Sequence, residues 1–125
     1  MKNIIPVNVT NAIFNISDSH TISACLFSDD VPKNNSGFNV GIITMETDPP
    51  HGGEVHFDGD EIIHVISGVL KVESDSNPNK SLQLSAGDSC IIKKAEWHKI
   101  YVIEKAKLIY ITPATNNEHR AKSLT

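Results

Sequence analysis

Residues 49–68 read PPHGGEVHFDGDEIIHVISG, and the fold of the chain turns on this stretch. In the extended run Gly53 to Phe57, Glu54 and His56 are two residues apart and so share one face of a strand. Asp58-Gly59-Asp60 supplies turn formers that reverse the chain and return Glu61, at the start of the next strand, to their side. Three ligand-type side chains thereby converge across one hairpin. Imidazole and carboxylate are the usual protein ligands of divalent transition metals, and such sites need several of them aimed at one point from rigid elements.

Outward from this hairpin the chain continues in the same idiom. Strand-length apolar runs are expected at Asn3 to Val9, Ala12 to Ile16, Thr21 to Phe27, Phe38 to Glu46, Gly53 to Phe57, Glu61 to Ile66 and Val69 to Ser74. Four more follow at Ser81 to Leu84, Ser89 to Lys93, His98 to Ile103 and Lys107 to Thr112. Gly, Pro, Asn and Asp punctuate the gaps. Val and Ile together number 25 against 13 for Leu and Ala, an excess of β-branched residues that favours strands. With 125 residues, enough for one core, the chain reads as a single all-β domain, a sandwich or a barrel. The polar tail 114–125 lacks alternation and is expected to fray.

The formal net charge of −4 argues against nucleic acid as a partner. Its distribution is more informative: no basic residue stands between Lys33 and Lys71, where Glu46, Asp48, Glu54, Asp58, Asp60 and Glu61 all fall. A solvated acidic loop would account for charge alone, but not for the histidines interleaved with it. Cys25 and Cys90 lie far apart with no metal or redox spacing, as expected of free thiols in a cytoplasmic protein. The N-terminal run is interrupted by Asn and Thr, which supports neither a signal peptide nor a membrane span.

A second segment, LSAGDSCIIKKAEWHKIYV from Leu84 to Val102, turns at Gly87-Asp88 and opens a strand at His98. The two segments together resemble the cupin superfamily. Glu54-x-His56, four residues, Glu61, six residues and Gly68 keep the spacing of its first motif (53–68), and Gly87, five residues, Lys93-x-Ala95, two residues and His98 keep that of its second (87–102). The chain departs from the pattern at Glu54, where the first His is expected, at Asp48 for the leading Gly, at Lys93 and Ala95 for Pro and Gly, and at Val102 for Asn.

The resemblance implies a cupin-type double-stranded β-helix, or jelly-roll barrel, over residues 1–113. It implies His56, Glu61 and His98 as metal ligands, with Glu54 as the fourth. Two carboxylates beside two imidazoles shift preference toward Mn²⁺ or Fe²⁺, with Zn²⁺ and Ni²⁺ as the other candidates, and a divalent ion relieves the repulsion between the acids. The competing reading is a cupin without metal, its Glu54 merely hydrogen-bonded. Ile63, Val65, Ile100 and Val102 share parity with the ligands and are expected to line the lumen. A metal at one end of an apolar pocket suits a small ligand with a chelating end, such as a carboxylate or enediol on hydrocarbon.

Glu54 and His51, the latter carried to the barrel mouth by Gly52-Gly53, are the candidate catalytic proton movers; His51 is also a substitute ligand if Glu54 is not one, and an exposed loop residue is its more ordinary reading. His64 points to the opposite face, toward solvent or a second subunit, Trp97 reads as packing or rim, and His20 and His119 have no partner to name. The function expected is a small metal-dependent enzyme (a dioxygenase, an isomerase or epimerase, or a lyase) acting on a small oxygenated metabolite. The alternative is a non-catalytic small-molecule or sugar-binding module. A homodimer through sheet faces or N-terminal strands is the expected assembly.

Overall fold

The computed structural model describes residues 3–26 and 36–122. Nine strands are present among them: β1 (Ala12–Ile16), β2 (Ile22–Leu26), β3 (Phe38–Met45), β4 (Glu54–His56), β5 (Glu61–Ser74), β6 (Ser81–Ser85), β7 (Ser89–Ile92), β8 (His98–Pro113) and β9 (Asn117–His119). No described residue is helical. All pairings are antiparallel and run in the order β2-β1-β3-β8-β4-β9, while β5 joins β6, β7 and β8. The result is one curled sheet, the all-β jelly roll that the resemblance implies.

Two pairs of expected strands are each one long strand. Glu61–Ser74 and His98–Pro113 pair along their whole length, with register shifts between Val65 and Leu70. Gly68 makes this bend: its φ is +81°, and a Cβ there would lie 2.0 Å from the Lys105 carbonyl oxygen. An irregularity of this kind lets a strand bend and twist without ending. Past it, β5 pairs with β6 instead of β7.

The core gathers on the inner face of these long strands. Ile63, Val65, Leu70 and Val72 of β5 pack with Leu84, Ile92, Ala106 and Leu108, all nearly or fully excluded from water. Alternation along β5 puts Glu61, Ile63 and Val65 inward, with Ile62 outward.

Two expectations are corrected. The run Asn3 to Val9 is not a strand, because Pro6 offers no N–H and Asn8 bends the chain, accepting from Thr10 N at 3.0 Å through Oδ1 and from Asn11 N at 3.1 Å through its carbonyl. The tail is not frayed where it is described, since Asn117–His119 adds β9 to the edge of β4. Of the expected run Thr21 to Phe27, residue 27 lies outside the described residues, as do the expected turn 28–30 and most of 32–37. No described helix is long and apolar enough to cross a membrane.

Candidate metal centre

Register assembles the site. Glu54 pairs directly with His98 of β8 on one side and with His119 of β9 on the other, and His56 pairs with Asn117. Glu61 opens β5 after the turn that Asp58 ties to the tail by accepting from Thr115 and from Asn116 Nδ2. Glu54, His56, Glu61 and His98 thus bring one potential ligand atom each to within 4.8 Å of one another. His98 Nε2 is 3.1 Å from Glu61 Oε1 and 3.3 Å from Glu54 Oε1, and His56 Nε2 is 3.4 Å and 3.9 Å from the same two oxygens.

Close as they are, these atoms do not satisfy one another. His56 Nε2, His98 Nε2 and Glu61 Oε1 are buried with no hydrogen-bond partner among the described residues. Buried polar atoms are almost always paired, so three orphans facing one point mark a place for a positive group.

The other atom of each of these three groups is committed outward. His98 Nδ1 lies 2.9 Å from the Glu96 carbonyl oxygen, which can only accept, so Nδ1 carries a proton in either charge state and Nε2 is the atom left facing the cluster. His56 Nδ1 lies 2.8 Å from Asn117 Oδ1, and the amide is held that way round because its Nδ2 donates to the Pro113 carbonyl at 2.8 Å. Glu61 Oε2 accepts from Thr112 Oγ1 at 2.6 Å, leaving Oε1 free. Such outer hydrogen bonds orient ligating side chains and set the imidazole tautomer.

Without a cation the cluster holds its charge by pairing. Burial works against the Glu61 carboxylate, but His56, His98 and the Thr112 hydroxyl outweigh it and hold its pKa near 2. Burial likewise opposes charge on His98, yet the carboxylates of Glu54 and Glu61 push it up to about 10. His56 is raised against burial by Glu61, and Glu54 is lowered against burial by His98. Two imidazoles and two carboxylates that compete for protons in this way form a donor set suited to a divalent ion.

Glu54, His56 and Glu61 of the cluster line a cavity of about 740 Å³ whose wall also includes Ile43, Met45, Ile63, Ile100, Leu108 and Tyr110. Of the four expected lumen residues, Ile63 and Ile100 line it. Val65 and Val102 do not: Val65 is fully buried in the core and Val102 packs against it. His51 is at the cavity, its ring stacked on His119 with centroids 4.3 Å apart. Gly53 N donates to His51 Nδ1 at 3.2 Å, and burial with the neighbouring His119 lowers the imidazole's pKa. His119 Nε2 is 3.4 Å from Glu54 Oε2, which corrects the expectation that it has no partner. His64, on the outer face, meets Ser89 Oγ instead.

Sequence reasoning missed Thr112, Asn117 and His119. The available signal was the spacing of Asn117-x-His119, which matches that of Glu54-x-His56 across the ladder. Arg120 anchors this strap. Its Nε donates to the Gly52 carbonyl, its guanidinium grips both oxygens of Asp75, and it sits 5.0 Å from the Trp97 ring. Asp48 and Glu46, which motif spacing leaves without a role, accept from Val102 N and pair with Lys105.

Comparison with known proteins agrees with this architecture. The profile of the cupin domain family matches residues 43–113. The chain is similar to a solved cupin-2 domain protein from Shewanella frigidimarina, with 24% identity and a TM-score of 0.52 over 70% of this chain and 80% of that one. It is similar to a sugar phosphate isomerase of the cupin superfamily from Silicibacter pomeroyi, with 17% identity and a TM-score of 0.54 over 69% and 58%. It also resembles a salicylate 1,2-dioxygenase from Pseudoaminobacter salicylatoxidans in complex with gentisate, with 10% identity and a TM-score of 0.58 over 70% and 25%. At these identities the likeness is one of fold. No curated protein matches the chain. A family profile spanning more than half the chain, over the curled sheet and the gathered His and Glu side chains, makes this protein a member of the cupin domain family.

Proposed function

We propose that the protein is a metal-dependent cupin enzyme acting on a small oxygenated metabolite, by dioxygenase, isomerase or epimerase, or lyase chemistry. The observation that carries this reading is the trio of buried, unpartnered atoms at His56 Nε2, His98 Nε2 and Glu61 Oε1. These three residues and Glu54 would hold the ion, with Mn²⁺ or Fe²⁺ favoured by the two carboxylate donors over Zn²⁺ and Ni²⁺. When bound, it would supply Lewis acidity toward substrate oxygens and, as Fe²⁺, reactivity toward dioxygen.

The chain's own residues then divide the remaining work. Glu96, Asn117 and Thr112 orient the donors, and the aliphatic wall excludes water from a metabolite that pairs a chelating end with hydrocarbon. Glu54 and His51, both on the cavity wall, would be the groups that move a proton. The solved neighbours named for a sugar phosphate isomerase and for a gentisate complex are consistent with substrates of this oxygen-rich kind.

A second copy of the chain is the proposed partner. Ala24, Phe14, Val40, Ile111, Ile62 and Ile91 form one register row across six strands on the outer face, without a charge. Six strands at about 4.8 Å spacing give a face roughly 25 Å wide, on the scale of a standard protein interface. The unpaired thiols Cys25 and Cys90 support a cytoplasmic setting.

The test is elemental analysis of protein purified without added metal, followed by titration with Mn²⁺ and Fe²⁺. One ion per chain is expected, with His56→Ala abolishing it and Glu54→Gln weakening it. Absence of any stoichiometric first-row metal in both measurements ends the reading. Metal-loaded protein that takes up a metabolite without turning it over is a binding module.

A further inference from the structure

Tyr110 stands on the inner face of β8, in register with Gly41 of β3 on one side and Ile63 of β5 on the other. Its ring lies directly across Gly41. A Cβ at Gly41 would sit 2.1 Å from Cε2, 2.2 Å from Cζ and 2.5 Å from the hydroxyl oxygen. Glycine here serves close approach, because any side chain would occupy the place the ring takes.

The ring therefore has a fixed berth, and its hydroxyl, which has no hydrogen-bond partner among the described residues, is not one of the buried unpartnered atoms and so is open to the cavity. Thr112, one step further along the same face, does have one in Glu61. A phenol O–H left without a protein partner on a cavity wall is a donor available to a bound ligand. The phenol is on the wall of the same cavity as Glu54, His56 and Glu61. Burial and the two carboxylates push its pKa up, so it stands there as a proton donor.

The chemistry of the cavity restricts what can accept from it. Its carboxylates are Glu54 and Glu61 within, with Glu46 and Asp48 also on the lining, and among the described residues no lysine or arginine lines it. A second anionic group on a ligand would meet repulsion there, whereas a carbonyl, hydroxyl or ether oxygen would not. Ile43, Ile63 and Leu108 around the ring suit a short hydrocarbon link between the two ends of such a ligand.

We propose that Tyr110 is a ligand-binding residue whose O–H donates to an uncharged second oxygen of the metabolite, one short apolar link away from the end held at Glu54, His56, Glu61 and His98. This rests on the metal-site reading above. It adds that the pocket selects a ligand with oxygen at both ends, and that Gly41 is present to seat the selecting ring.

Pentanohydroxamate and its 3-oxo and 4-oxo analogues test this, since they share one chelating end and differ in a distal carbonyl. Binding is read by calorimetry on Mn²⁺-loaded protein. The native chain is expected to bind at least one oxo analogue roughly 3- to 10-fold more tightly than pentanohydroxamate, the worth of one hydrogen bond. Tyr110→Phe keeps the ring in its berth and should retain metal and bind pentanohydroxamate unchanged while losing that preference. Gly41→Ala, which displaces the ring, should lose it too. A preference retained by Tyr110→Phe, or no preference in the native chain, overturns the inference while the metal site stands. A native chain that takes up no Mn²⁺ removes the metal reading and this inference with it.

Discussion

At the scale of single residues, the site is defined less by its four donors than by what holds them. Asn117 is committed at both ends, to His56 Nδ1 and to the Pro113 carbonyl. Asn117→Ala should weaken metal affinity about 10- to 100-fold without removing a donor, a loss measurable by competition with a chromophoric chelator. The charges of the cluster also predict two opposite responses to pH. His98, raised from 6.5 to about 10, stabilises the metal-free fold fully below pH 6.5, and that contribution is lost as pH climbs through about 10. Glu61, lowered from 4.5 to about 2, contributes fully above pH 4.5 and loses its contribution as pH falls through about 2. Metal-free protein should therefore lose thermal stability between pH 6.5 and 9. Stabilisation by Mn²⁺ should grow over the same range, because the ion needs the deprotonated nitrogen. Calorimetric scans with EDTA and with Mn²⁺ that fail to separate as pH rises would remove the ion from this cluster.

At the scale of elements, the two motifs could be placed from their spacing, and the strand boundaries could not. Polar and glycine positions such as Ser67-Gly68 look like chain reversals in sequence. They are instead where one strand bends and passes from β7 to β6, because its neighbour β8 runs alongside throughout. Gly68→Ala should cost about 2 kcal/mol or more in urea unfolding, since the Cβ meets a carbonyl oxygen and the left-handed backbone disfavours it. The opposite sign is expected at Ala95, which stands where the second cupin motif has glycine. It adopts φ +65° while its N–H donates to the His56 carbonyl at 2.8 Å. Ala95→Gly should stabilise by about 1 kcal/mol, as the steric strain it relieves exceeds the added chain entropy. The substitution restores the glycine of the family pattern, three residues before His98.

For the whole molecule, the curled sheet has a lined interior and one uncharged row of residues across its exterior, and that row predicts assembly. Ile91 is 66% exposed at the end of the six-strand row, so Ile91→Glu should leave the fold intact and convert a dimer to a monomer in light scattering after gel filtration. A monomeric native chain at micromolar concentration would retire that arrangement. The sequence by itself determined the all-β class and the hairpin that unites Glu54, His56 and Glu61, while the place of His98 beside that hairpin came from the resemblance to the cupin motifs. The first two follow from the period-two alternation of strands and from turn residues, both of which are local. Only the tertiary structure decided that the polar tail becomes β9, that Asn117 and His119 stand opposite His56 and Glu54, and that Tyr110 rests on Gly41. The physical reason is that a strand's neighbours are set by pairing across the sheet. Asn117 lies 61 positions from His56, and a three-residue polar stretch has too little pattern to announce the strand edge that will order it.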